Sequence, residues 1–283
     1  MAEPLEQRVR AVRLTAAEQR VVDHLLGRPR QAIFETAEQL AEAAGTSDAT
    51  VVRTARKLGY EGLAALRRSL TDRVAAQTGP AAQARAVAAD SSTGVVQRVF
   101  ADAAERLART AAAVDEAAFA AAVDLLAGAD DVLAYGIGPS EQVARSLALR
   151  LTRTGRRARA TGAAGFRLAD DLMLVSPGTA VVLYLPARRT LDADVVVDRA
   201  RTTGASTILV TDSLRLPVDV RLTALHTADD LTGEALTSAV LTDALLLALA
   251  ARDRARVTAA DQTLTRLREA LTREALTRES RPR

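Results

Sequence analysis

The segment from Ser47 to Gly59, reading SDATVVRTARKLG, places hydroxyls and a carboxylate ahead of three cations. Its spacing predicts a helix with Val51, Val52, Ala55 and Leu58 facing a core. Ser47, Asp48, Thr50, Arg53, Thr54 and Lys57 are then left projecting outward. Small polar groups at a helix start can reach base edges in a DNA groove, while Arg53, Arg56 and Lys57 can reach bases or phosphates. The same pattern also suits a basic, solvated helix in an ordinary bundle.

A second group follows an apolar run that ends at Tyr135: Gly136-Ile137-Gly138-Pro139-Ser140, then helical sequence. Glycines let backbone approach a ligand closely, a helix start offers free N–H groups to an anion, and Ser140 adds a hydroxyl. Glu141 stands where a dinucleotide fingerprint needs its third glycine, and its carboxylate would oppose a pyrophosphate. A tight strand-to-helix connection accounts for the same residues without any ligand.

The elements that must position these groups change character near residue 75. Before it, Thr15 and Glu18 form a capping box opening a helix to Leu26, which Gly27 and Pro29 end. A short helix from about Thr36 to Ala44 stops at Gly45, and Ser47 caps the next, from Asp48 to Leu58. The turn Ala44-Gly45-Thr46-Ser47 has helix-turn-helix spacing, and a fourth helix begins near Gly62. Residues 1–75 are therefore expected as an all-α helix-turn-helix domain.

Residues 76–93 are small and polar and read as a linker, leading to helices at about 94–113 and 116–127. Apolar runs at 132–135, 180–185 and 206–211, with weaker ones at 157–160 and 222–226, alternate with helical segments near 140–154, 164–173, 191–204 and 234–253. That alternation predicts a parallel sheet covered on both faces over residues 116–283, closed by an amphipathic helix from Thr258 to Glu279. Residues 76–115 form the linker and connecting helix.

Composition narrows the chemistry. Of 283 residues, 48% are hydrophobic and 26% charged, which excludes disorder over most of the length. There is no cysteine, hence no disulfide frame, thiolate metal site or cysteine nucleophile. The two histidines, His24 and His226, are far apart in sequence, so neither a metal nor a cofactor is expected. The start MAEPLEQRVR has no apolar core of a signal peptide, and the apolar run from Ala235 to Ala251 is short and contains Asp243. A cytoplasmic protein without membrane contact is expected. Residues 53–73 hold six basic groups against two acidic ones, although the whole chain is only +3. A single module of such modest charge needs a second copy to hold DNA tightly.

Several motifs together resemble RpiR-type bacterial transcription regulators: Leu14-Thr-Ala-Ala-Glu18, Ala41-Glu-Ala-Ala-Gly45, Ser47-Asp-Ala-Thr-Val-Val-Arg53 and Arg56-Lys-Leu-Gly-Tyr-Glu-Gly-Leu63. Residues from about 116 to 253 resemble the SIS (sugar isomerase) domain that accompanies this helix-turn-helix. The resemblance implies an α/β/α sandwich on a five-stranded parallel sheet, a double-stranded operator as partner, a homo-oligomer (dimer or tetramer), and a phosphosugar or other anionic effector. Gly136, Gly138 and Ser140 match the first phosphate loop, and Gly204-Ala-Ser-Thr-Ile-Leu-Val-Thr-Asp212 matches a later strand. The second phosphate loop departs from the family's Ser-x-Ser-Gly-x-Thr. Here Leu185-Pro-Ala-Arg-Arg-Thr190 keeps only Thr190, and Arg188 and Arg189 either replace the lost hydroxyls as anion binders or lie on the surface beside a closed pocket.

Three functions follow from this reading. The first is a sequence-specific regulator whose SIS domain dimerises and senses an anionic metabolite. The second is a DNA-binding regulator whose SIS domain is only a dimerisation scaffold. The third is a phosphosugar isomerase, for which Glu234 and His226 are the only acid–base candidates, and nothing in their spacing pairs them.

Overall fold

The computed structural model describes residues 5–27, 29–33, 35–78, 80–88, 91–187, 189–226 and 235–279. The chain divides into two compact units between Val96 and Gln97.

The first unit is helical: α1 (Leu5–Ala11), α2 (Ala16–Gly27), α3 (Pro29–Ala32), α4 (Ala37–Ala43), α5 (Asp48–Lys57), α6 (Leu63–Thr78) and α7 (Pro80–Val87). Local sequence sets the starts of these helices. Glu18 accepts from the Thr15 N–H at 2.7 Å while Thr15 Oγ1 accepts from the Glu18 N–H at 3.3 Å, the expected capping box. A second box joins Thr36 and Gln39 at the start of α4. Leu5, Val22, Leu25, Leu40, Val51, Ala55, Leu58, Leu66 and Leu70 close a single core between the helices.

Two expectations change here. Pro29 not only follows the end of α2 but opens α3, a role its fixed φ suits. The stretch 76–93, expected as a linker, carries the end of α6 and all of α7. Its alanines lose little entropy on becoming helical, so small and polar composition there signals helix as readily as coil.

The second unit takes in most of α8 (Ser92–Ala113) and then α9 (Glu116–Gly128), β1 (Asp131–Gly136), α10 (Pro139–Arg153), β2 (Arg157–Thr161), α11 (Phe166–Leu172), β3 (Thr179–Tyr184), α12 (Leu191–Thr203), β4 (Ser206–Thr211), β5 (Val220–Thr223), α13 (Leu236–Arg252) and α14 (Arg254–Glu279). The sheet is wholly parallel, in the order β2-β1-β3-β4-β5. Alternate residues of each central strand serve opposite cores. Val132, Ala134, Val182 and Tyr184 pack with α9, α10 and α13, whereas Leu133, Tyr135, Val181 and Leu183 pack with α11 and α12. Tyr184 buries its hydroxyl 2.8 Å from Thr242 Oγ1 on α13, so its polar tip is satisfied within the first of these cores. The structure is thus a helical domain followed by a three-layer α/β/α domain on a five-stranded parallel sheet, as the sequence predicts. Among the described residues, no helix is long and apolar enough to cross a membrane.

Candidate nucleic-acid interface and effector site

In the helical unit, the turn between α4 and α5 is built by backbone chemistry. Gly45 adopts φ of 60°, a left-handed conformation that costs a side-chain-bearing residue about 1–2 kcal/mol. It lets the Thr46 N–H reach the Ala41 carbonyl at 2.8 Å and close α4. Arg20 on α2 then donates to the carbonyls of Ala44 at 2.9 Å and Gly45 at 3.0 Å, tying the turn to a third helix. Ser47 Oγ caps α5 by accepting from the Thr50 N–H at 3.4 Å. At its other end Arg8 donates to the carbonyls of Leu58 and Gly59 and lies over the Tyr60 ring. Sequence reasoning passed over both arginines because their partners are backbone carbonyls far away in the chain.

The exposed face of α5 is rotated from the one expected. Ser47, Asp48, Arg53, Arg56 and Lys57 are exposed, but Thr54 is fully buried and Thr50 nearly so. Thr54 Oγ1 donates to the Thr50 carbonyl at 2.7 Å. Thr54 lies three residues after Val51 and four after Thr50, so a helical period places all three on the same inner face. Val52, expected in the core, is only half-buried, and Ala49 is exposed. Lys57 is also engaged: its ammonium lies 2.7 Å from the Glu18 carboxylate of α2. Lys57, followed by the Thr15 backbone, holds Glu18 below the usual carboxylate range. The outward surface is therefore Asp48, Ala49, Val52, Arg53 and Arg56.

In the α/β unit, the sheet order reverses between β1 and β3, the place where open α/β sheets leave a crevice at their carboxyl ends. Gly136 pairs with Tyr184 across these strands, which brings the Gly136–Ser140 loop beside the loop that starts at Leu185. A Cβ on Gly136 would lie 2.6 Å from the Ser140 carbonyl oxygen, so only glycine permits that turn. Gly138 begins α10 at φ 60°, and Ser140 is only 3% exposed. Glu141 packs against Gly162 of the β2–α11 loop and pairs with Arg145.

The second loop starts with Leu185 buried in the core of the α11–α12 face. Arg188 lies outside the described residues. Arg189 donates to Asp194 at 2.8 Å, and Thr190 caps α12, accepting from the Ala193 N–H at 3.2 Å. Asp192, in the first turn of α12, accepts from the Gly165 N–H at 2.9 Å and ties that helix start to the β2–α11 loop. The Tyr135 hydroxyl is pushed up to about 12 by burial, with the Asp192 carboxylate adding to it. The structure thus brings Gly136, Gly138, Ser140, Arg189 and Thr190 to the carboxyl ends of two adjacent strands, and adds Glu141 and Asp192, which sequence reasoning gave no ligand role.

Of the two acid–base candidates, only His226 is among the described residues. His226 follows β5, its ring Nε2 3.3 Å from Ser238 Oγ and its backbone N–H donating to Asp212 at 3.5 Å. Burial lowers His226 to about 4 and raises Asp212. Glu234 lies outside the described residues.

Comparison with known proteins joins the two halves. Residues 2–77 match the helix-turn-helix domain of the rpiR family, and residues 125–252 match the SIS domain. The chain belongs to the RpiR family. An uncharacterized HTH-type transcriptional regulator of Escherichia coli, YfhH, is 28% identical over 208 residues, covering 70% of this chain and 71% of that protein. The bifunctional protein glk of Paraburkholderia xenovorans is 29% identical over 209 residues, 73% of this chain but 32% of that protein, so the match spans about a third of that relative's length. The fold of this RpiR chain is shared with the Vibrio vulnificus NanR protein complexed with ManNAc-6P, at a TM-score of 0.68 and 24% identity, over 91% of this chain and 94% of that one.

Proposed function

We propose that this chain is a cytoplasmic transcription regulator that reads a DNA operator with α5 and works as a homo-oligomer. The observation that carries this reading is the exposed Asp48, Ala49, Arg53 and Arg56 on a helix fixed at both ends, by Ser47 at its start and Arg8 at its close. A rigid helix whose cations protrude can hold phosphates while its first turn meets base edges.

The α/β unit is the input and pairing module. A sugar phosphate, or another anionic metabolite, is the ligand class we assign to the carboxyl ends of β1 and β3, where the start of α10 and Arg189 carry positive charge. Its effect on DNA comes from binding one arrangement of the oligomer better than another. A pairing role without an effector has two observations in its favour: Asp194 already neutralises Arg189, and Glu141 places a carboxylate at the first loop. Isomerisation needs a base and an acid beside the sugar carbons, and a neutral His226 held near Ser238 does not supply that pair.

The test has two arms. Selection of genomic fragments at a stated salt concentration, followed by footprinting, should recover a defined site protected by the wild type. Thermal shift against sugar phosphates, the matching free sugars and sulfate should raise Tm only with the phosphorylated sugars if the site senses them. No shift with any of them leaves pairing as the role of this unit.

A further inference from the structure

Two tyrosines are fully buried on the paired strands β1 and β3, and their hydroxyls are treated differently. Tyr184 on β3 meets Thr242 of α13. Tyr135 on β1 faces the opposite core, the one that holds Leu168, Leu183 and Val196. Among the described residues, no group lies in hydrogen-bonding geometry with its hydroxyl, which is sealed from solvent. A buried phenol left in this way has given up its bonds to water without replacing them. Such a group at the edge of a crevice is accounted for when a bound state supplies its partner.

The surroundings of the hydroxyl select that partner. It is aimed at the start of α12, where Thr190 and Asp192 are the polar side chains that face it. The Thr190 oxygen already caps α12. Asp192 holds the Gly165 N–H through Oδ1, and among the described residues its Oδ2 makes no hydrogen bond. Asp192 is close enough to disfavour loss of the Tyr135 proton, so the phenol remains a donor at neutral pH. A donor and an acceptor thus stand together at the carboxyl end of β1. A phosphate oxygen would accept from Tyr135 but be repelled by Asp192, and an ammonium group would suit Asp192 but not Tyr135. A hydroxyl accepts from the first and donates to the second.

Resting on the effector reading above, we infer that Tyr135 and Asp192 recognise a hydroxyl of the bound metabolite, which makes the site selective for a sugar over a bare anion. The start of α10 and Arg189 are left to meet the anionic group. Because the Tyr135 hydroxyl is sealed in the free protein, the ligand reaches it only as the first turn of α12 gives way, so binding is tied to movement of that turn.

Tyr135→Phe removes the hydroxyl and keeps the ring in its core. Since no bond is lost in the free protein, the ligand-free Tm should stay at or above that of wild type. Titration calorimetry should compare hexose 6-phosphates with ethyl phosphate, an anion of the same kind without sugar hydroxyls. Wild type should prefer a hexose phosphate. Tyr135→Phe should weaken that ligand by about tenfold and leave ethyl phosphate unchanged. Asp192→Asn, which keeps an acceptor for the Gly165 N–H, should also weaken the hexose phosphate and not ethyl phosphate. A lowered ligand-free Tm in Tyr135→Phe, equal weakening of both phosphates, or hexose phosphate binding as tight as in wild type would overturn the inference alone. No binding of any hexose phosphate by wild type would remove the effector reading and the inference with it.

Discussion

Lys57, on the helix that faces DNA in our reading, holds the Glu18 carboxylate of α2 at 2.7 Å. The same Glu18 oxygen accepts from the Thr15 N–H, so one carboxylate joins the start of α2 to the end of α5. Glu18→Gln removes the ion pair and leaves a neutral acceptor for the Thr15 N–H. Because Glu18 titrates lower in the fold than in the unfolded chain, its contribution is present above the ordinary glutamate pKa and lost as pH falls through the depressed one. Thermal melts of wild type and Glu18→Gln should therefore differ most near neutral pH and converge in acid.

Thr54 and Arg53 are neighbours with opposite assignments, one inside and one out. Thr54→Ala should lower stability by about 1 kcal/mol through its lost hydrogen bond and methyl packing. Its ratio of specific to non-specific DNA affinity should match wild type. Denaturant titration and gel shifts measure the two effects separately.

His226 gives a pH signature of the α/β unit. Its folded pKa, lowered to about 4 by burial, lies below the unfolded value near 6.5. The unfolded chain thus binds the proton first, and stability should fall as pH drops from about 6.5 towards 4. His226→Gln should flatten that part of the profile, as followed by calorimetry from pH 4 to 8.

Gly138 tests the first loop without touching a charge. Its φ of 60° with ψ of −132°, a region essentially restricted to glycine, makes Gly138→Ala strained by about 1–3 kcal/mol, although no neighbour lies within 4 Å of the added Cβ. If the Gly136–Ser140 loop holds an effector, this variant should weaken ligand-induced Tm shifts more than it lowers the ligand-free Tm.

Much of this architecture was legible in the amino-acid sequence. Long apolar runs such as Thr179–Tyr184, buried along their whole length, leave little choice but a central strand. Capping residues such as Thr15, Thr36 and Ser47 announce helix starts, because a side chain must satisfy free N–H groups there. The four-residue α3 and the alanine-rich α7 escaped because neither has an apolar period long enough to read. The inner face of α5 was misjudged because a threonine looks polar in sequence yet satisfies its hydroxyl on its own helix, as Thr54 does on Thr50. At the α/β crevice, Gly136, Gly138 and Ser140 were visible as a motif. The opposing charge of Glu141 was visible there too, whereas those of Asp192 and Asp194 appear only once the loops are brought together.

The central claim is that Arg53, on the exposed face of α5, reads DNA. The most direct measurement is the dissociation constant for the footprinted site against random duplex, at several salt concentrations, for wild type, Arg53→Ala and Arg53→Lys. Loss of a base contact should cost about 1–3 kcal/mol on the specific site and little on random duplex in Arg53→Ala, with Arg53→Lys recovering charge but not selectivity. Equal affinities of all three proteins for the site, at unchanged stability, would contradict the account.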